Sequence, residues 1–373
     1  MVFGRAHGSQ EAKLESFRLY GEALPKLRAA VEGIKQAWDF STLVLITMLS
    51  MYELVSHRAG FGWGYHAQAL ATMIELRGPW RHKKFPEKSV FLEHRMILLS
   101  QAICSRRKSF LARKIWKEVP WEDDLASKQP IDYLLDILCD ISGLIEDIDR
   151  AERVGRAYEE NLDQLIIQSF RDINKWWQQW EAHIADSCEE VTTDPKSTIM
   201  VDEDGILFPT LFEYKNFFTA YTTCIYNAVR IQLLLLWEIL TRAAPHTAEP
   251  QLGLDEPNNT PLLGITSDAR GLAREIFQSL EYCHLQSKHH FGTFCLLFPV
   301  DFAYGSLGLN SRESRWLLGN NATEFARFGG YEPGTMNHKL VPQYRFNVPQ
   351  SGQGTLRHKP LNENTKLNSV VLD

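Results

Sequence analysis

The sequence predicts an all-α fold of many helices, with long loops and a poorly ordered C-terminal tail. Apolar residues recur at three- and four-residue spacing through every long segment. Strand-type alternation is nowhere sustained over five residues or more, and hairpin turn pairs are scarce. The chain has 373 residues, 44% hydrophobic and 23% charged, enough for one large or two medium domains with a substantial core. No repeat of about 30 to 50 residues is present, so a solenoid is not expected.

Each element has its own warrant. Leu43 to Val55 is apolar except for Thr47, Ser50 and Glu53, a single polar stripe, so a helix buried almost all round is expected. In Tyr65 to Pro79, Gln68, Thr72 and Glu75 line one narrow face of another packed helix. Gly78 can take the left-handed conformation that closes it, and Pro79 cannot continue it. Arg77, in the last turn, is expected to meet the negative end of the helix dipole. Pro130 suits a first helical position, followed by Ile131, Leu134, Leu135, Leu138, Ile141, Ile145 and Ile148. The same rhythm runs from Leu162 through Phe170, Trp176 and Trp180 to Ile184, and again from Leu211 to Leu240. Thr266 to Asp268 offer cap oxygens for a helix carrying Ala269, Ala273, Ile276, Phe277 and Leu280.

Three stretches break the pattern. Asp186 to Leu207 is polar and acidic, and Thr241 to Ile265 carries four prolines and reads as a surface loop. After Gly330 the composition turns to Pro, Gly, Asn and Gln. The expected organisation is a helical domain over residues 1–330 and a polar tail over 331–373 that is not part of a core.

The net charge of −6 argues against nucleic-acid binding by the field of the whole chain. Cysteines at 104, 139, 188, 224, 283 and 295 stand at least 12 residues apart, which excludes a tight metal knuckle or a dense disulfide framework. Reduced thiols in an intracellular protein are expected. Met1 to Gln10 lacks an apolar signal core. The runs Leu43 to Leu49 and Leu233 to Trp237 fall short of the ~20 residues that cross a bilayer, so no membrane segment is expected.

Glu122-Asp123-Asp124 and Glu146-Asp147-Ile148-Asp149 could hold magnesium and a diphosphate, but neither supplies the carboxylate one helical turn on that such a site needs. They read as solvated helix ends and faces. His289-His290, with His284, has no partner at ligand spacing. No glycine-rich phosphate loop or nucleophile elbow occurs. Arg106, Arg107, Lys108, Arg113 and Lys114, and Arg81 to Lys84, suggest a solvated face, or an import signal or partner contact. Trp176, Trp177 and Trp180 read as core packing rather than a ligand pocket.

Three separated stretches resemble one family, the regulatory domain of fungal zinc-cluster transcription factors. The first is Leu45-Ile46-Thr47-Met48-Leu49-Ser50-Met51-Tyr52-Glu53, followed by the helix from Tyr65, with His66 eleven residues ahead of Arg77-Gly78-Pro79. The second runs from Phe212-Glu213-Tyr214 to Asn227-Ala228-Val229-Arg230-Ile231. The third is Ala273-Arg274-Glu275-Ile276 to Cys283, then Leu297-Phe298-Pro299-Val300 and Trp316. The resemblance covers about residues 15 to 330 and implies a nuclear regulator acting through protein contacts or a small-molecule effector. Its implied partners are transcriptional co-regulators or a second copy of the chain, with no membrane. The family's zinc sits in a six-cysteine module that these residues do not contain, so no zinc, other cofactor or direct DNA contact is expected of them. No catalytic, cofactor-binding or metal-ligating residue is carried over. The alternative expectation is an all-α enzyme with a metal-diphosphate site.

Overall fold

The structure, a computed structural model, describes residues 3–4, 7–33, 39–56, 62–154, 161–197, 200–243, 268–286, 296–308 and 310–318. The all-α class holds. The helices are α1 (Gln10–Glu32), α2 (Phe40–Ser56), α3 (Gly62–Arg77), α4 (Glu87–Cys104), α5 (Lys114–Glu118), α6 (Pro130–Val154), α7 (Leu162–Ser187), α8 (Phe217–Ala243), α9 (Ala269–Gln278), α10 (Leu280–Gln286), α11 (Leu297–Leu307) and α12 (Arg312–Leu318). The tail expected over 331–373 lies outside the described residues, as do His289, His290 and Cys295.

Helix α8 is the axis of the C-terminal part, packing against α6, α7, α9 and α11. In the N-terminal part α2 packs on α3, α3 on α4 and α4 on α6. One hydrophobic core runs through both, from Leu43 and Leu70 through Trp116 and Ile141 to Ile225, Phe277 and Trp316. Helix α1 lies outside it, with none of its residues buried, against α2.

Several local expectations hold in detail. Gly78 adopts φ +76° and its N–H reaches the carbonyls of Ile74 and Glu75, so α3 stops where the glycine allows it. Gln68, Thr72 and Glu75 are exposed, while Leu70, Met73 and Ile74 are buried. Asp268 caps α9, its carboxylate accepting from the N–H groups of Arg270 and Gly271. Pro130 opens α6, and Leu134, Leu138, Ile141 and Ile145 line its buried face.

Other expectations need correction. Composition suggested that α2 is buried almost all round, and it is not. Thr47 and Ser50 are buried and Met48 is 60% exposed. Thr47 tolerates this because its hydroxyl donates to the Leu43 carbonyl one turn back. Arg77 stands in the last turn of α3 as expected, but its side chain is buried and pairs with Glu87 at 3.0 Å. The helix read from Leu211 starts at Phe217, because Asn216 receives the Thr219 N–H at 2.9 Å as a cap.

Ahead of that cap the chain is a strand. β1 (Cys188–Thr192) runs antiparallel to β4 (Thr210–Tyr214), with Cys188 opposite Tyr214 and Val191 opposite Leu211. Between them β2 (Val201–Asp202) and β3 (Gly205–Ile206) form a short hairpin, turned by Gly205 at φ +98°. The acidic break is thus a small β-insert. Its polar turn residues hid two ladders too short for alternation to be counted.

By length and composition, Phe217–Thr241 could cross a membrane, which the search for uninterrupted apolar runs missed. Of that window, 72% is buried inside the protein, as in the core helix of a soluble domain.

Candidate functional site

The unusual feature of α8 is what it buries. Thr219, Thr222, Thr223, Tyr226, Asn227 and Arg230 recur at helical spacing and form one inward stripe, and all are buried. A helix this apolar would bury the stripe at a cost unless each polar atom found a partner. Some do. Thr223 donates to the Thr219 carbonyl, Arg230 donates to the Tyr226 hydroxyl at 2.7 Å, and Asn227 donates to Glu275 of α9 at 2.9 Å. His183 Nε2 lies 3.1 Å from the Thr219 hydroxyl.

Helix α7 supplies the aromatic wall. Trp176 and Trp177 stack on Tyr226 at 5.5 and 4.5 Å between centroids, and Trp180 lies 5.6 Å from Trp176. The three tryptophans are core packing, as their spacing suggested. Trp176 Nε1 donates to the Pro130 carbonyl, tying α7 to the start of α6. Burial raises the Tyr226 phenol against the lowering pull of Arg230, so it stays a neutral donor-acceptor.

Other polar atoms of α7, α8 and α11 are buried with no hydrogen-bond partner among the described residues. They are Nε1 of Trp177 and Trp180, Oγ1 of Thr222, Oδ1 of Asn227, Oε1 of Gln232 and both carboxylate oxygens of Asp301. Asp301 is the extreme case. It sits in α11, between Val300 and Phe302, and α11 packs on α8 and α9. Burial alone holds its carboxyl well above the usual range, with no charge or hydrogen bond acting against it. Sequence reasoning passed over Asp301. The available signal was a single carboxylate inside Leu297-Phe298-Pro299-Val300-Asp301-Phe302-Ala303-Tyr304, an otherwise apolar stretch.

The residues weighed for metal or phosphate chemistry are used differently. Glu122 and Asp123 both hold Lys83, at 2.8 and 3.0 Å. Glu146 accepts from Arg107 and from the Lys108 N–H, Asp147 pairs with Arg150, and Asp149 pairs with Arg106 at 2.5 Å. They are not merely solvated faces, because most of these contacts join separate segments. Several of the basic groups are neutralised in these or similar contacts. Arg113 reaches Glu75, and Arg81 lies 3.5 Å from Glu87. Among the described residues no group of three or more His, Cys, Asp or Glu is arranged to hold a metal ion.

A second buried charge cluster lies between α4 and α6. Arg95 pairs with Asp132 at 3.0 Å and Asp136 at 2.5 Å, and Lys128 pairs with Asp136 at 2.6 Å. Trp121 lies under both cations, 5.1 Å from the Arg95 guanidinium and 4.6 Å from the Lys128 ammonium. Burial tends to lower Arg95, but the carboxylates of Asp136 and Asp132 outweigh it and keep the guanidinium charged. His66, singled out by the sequence, joins α3 to α1 through a 3.2 Å contact between its Nε2 and the Tyr20 hydroxyl.

Comparison with known proteins adds little to this geometry. No family model matches the chain, and no solved structure matches it. A protein of Emericella nidulans described as uncharacterized is 25% identical over 114 residues, 31% of this chain and 24% of that protein. The matched stretch thus spans about a quarter of that relative.

Proposed function

We propose that this chain is a nuclear transcription regulator of the fungal zinc-cluster type, acting through its helical domain rather than by gripping DNA itself. Its partners are transcriptional co-regulators or a second copy of the chain, and the interior lined by α7, α8 and α11 senses a small-molecule effector. We assign it no catalytic role. The observation that carries the reading is the hydrogen bond from Asn227 to Glu275. Asn227 belongs to the second stretch that resembles the family and Glu275 to the third. The two therefore meet at one partly buried polar contact, as parts of a single sensing core would.

The test is a fusion of the full chain to an unrelated DNA-binding module with a matching reporter. Reporter output is expected to change at least severalfold, and Asn227→Leu is expected to weaken the change without loss of nuclear protein. A fusion that accumulates in the nucleus and leaves the reporter unmoved overturns the proposal.

A further inference from the structure

The fold covers one edge of the β1–β4 ladder and leaves the other open. β4 packs against α8, α9 and α10, and Gln278 of α9 donates from Nε2 to the Thr210 carbonyl. β1 has β4 on one side and, among the described residues, no strand on the other. The ends of the ladder fix which backbone groups of β1 look outward. The Lys215 N–H donates to the Ser187 carbonyl, and the Thr193 N–H to the Pro209 carbonyl. Bonded pairs alternate along an antiparallel ladder, so between those ends Glu189 bonds Glu213 and Val191 bonds Leu211. Glu190 and Thr192 therefore turn both their N–H and C=O groups away from β4, and both residues are exposed. Cys188 turns its C=O the same way, while its N–H is taken by the Ile184 carbonyl at the end of α7. None of the outward groups of Glu190 and Thr192 has a backbone partner among the described residues.

The side chains along this edge are acidic. Glu189 and Glu213 stand directly opposite one another, and both are exposed. Like charges in that position destabilise a ladder. Among the described residues neither enters an ion pair, although Lys215 stands two residues beyond Glu213 on the same side. Glu190, on the other face, accepts from the Thr210 hydroxyl at 2.5 Å, which leaves its charge unanswered. Charges on an edge strand also keep other chains away. Glu213 does not serve that purpose, because it belongs to the covered strand. Beside Glu189 it adds only a repulsion that an incoming cation would relieve.

We propose that the free edge of β1 is a docking site for an extended, basic segment of a partner protein, which adds a third strand to the ladder. The main chain of that segment pairs with the outward groups of Cys188, Glu190 and Thr192, and its lysine or arginine side chains neutralise the acidic edge. Neighbouring strands lie about 4.8 Å apart, so a long basic side chain beside Glu189 also approaches Glu213. The inference goes beyond the regulatory reading and stands on the ladder alone.

The experiment is a fluorescence-anisotropy titration of the full chain with a labelled, end-blocked peptide of alternating lysine and threonine. One control peptide carries glutamate in place of lysine, and a second keeps the lysines but is N-methylated along its backbone. The basic peptide is expected to bind at least about tenfold more tightly than either control, and more weakly in about 0.5 M salt. Glu190→Pro removes an outward N–H without touching the bonds to β4, and is expected to lower affinity by about tenfold. Glu190→Ala keeps that N–H and is expected to lower it less. Glu189→Gln with Glu213→Gln is expected to lower it by about tenfold and to flatten the salt dependence. Urea unfolding checks that each variant is folded, and if Glu190→Pro is not, the N-methylated peptide carries the same test. Equal binding of the N-methylated peptide overturns the proposal, since the edge is then only a charged surface. Unchanged binding to the double glutamine variant overturns it as well. No binding of the basic peptide also overturns it, and the glutamates then serve to keep the edge unpaired.

Discussion

Arg95 and Asp301 are two ways of burying a charge in one fold. The Arg95 guanidinium, between α4 and α6, is held by two carboxylates and lies over Trp121. Asp301, in α11, has no partner among the described residues. The first arrangement is closed, with each charge answered by another on a neighbouring element. The second is open: with nothing to answer it, burial holds the carboxyl above its usual range, so it keeps its proton more readily than an exposed acid. The contrast separates a charge answered by its neighbours from an acid left to burial alone.

The largest effect should come from breaking the closed cluster. Arg95→Ala leaves Asp132 buried without its counter-charge and Asp136 with Lys128 alone, and truncating one partner of a buried pair costs about 3–5 kcal/mol. Urea unfolding of the variant should show a loss of that order. Replacing Arg95 by Met and both aspartates by Leu together should recover much of it, since well-packed apolar groups are often as stable as a buried ion cluster. A loss under about 1 kcal/mol for Arg95→Ala would mean that the cluster is hydrated and the contrast with Asp301 false.

The open site should respond to pH in a direction fixed by its sign. The Asp301 carboxyl is raised above the ordinary value of 3.8 in the folded chain. Between 3.8 and its higher folded value the native state holds a proton that the unfolded state has released. Stability therefore falls as pH rises through that window, by about 1.4 kcal/mol per pH unit at most, and is unaffected by this group below it. Asp301→Asn should flatten the difference, so that the variant gains on the natural chain as the pH is raised from 4 toward 7. Thermal unfolding across that range measures it. A variant that tracks the natural chain at every pH would show that Asp301 already has a compensating partner.

On α8, Asn227→Leu removes the donor to Glu275 and leaves a half-buried carboxylate short of one hydrogen bond. A loss of about 1–3 kcal/mol is expected in denaturant unfolding. Gly78→Ala tests a different kind of site. At φ +76° a Cβ is disfavoured by about 1–2 kcal/mol. A neutral effect there would mean that α3 can end in another way.

The sequence made the helices legible because burial writes itself as period. Leu134, Leu138, Ile141 and Ile145 could belong only to one helix face, and Gly78-Pro79 could only stop one. The strand Thr210–Tyr214 was not legible, since five residues leading into a long helix carry too little alternation to outvote its rhythm. Its start was decided by Asn216, a side-chain cap whose action depends on geometry. The inward stripe of α8 was visible as spacing but not as burial, because Thr, Tyr and Asn at those positions suit a wet face equally well. The pairing of Asp149 with Arg106 joins residues 43 apart, a distance that no local pattern records.

The smallest effect is the control that gives the rest its meaning. Arg113 reaches Glu75 at 2.6 Å, a bond as short as those within the buried cluster, but the two side chains are 50% and 44% exposed. Water screens the charges and the side chains lose freedom to hold the pair, so such bridges contribute about 0–1 kcal/mol. Arg113→Ala should therefore leave the unfolding midpoint nearly unmoved, and what change there is should shrink further in about 0.5 M salt. If Arg113→Ala were as damaging as Arg95→Ala, geometry rather than burial would be setting the strength of these pairs. The open site at Asp301 would then lose its claim to be different in kind.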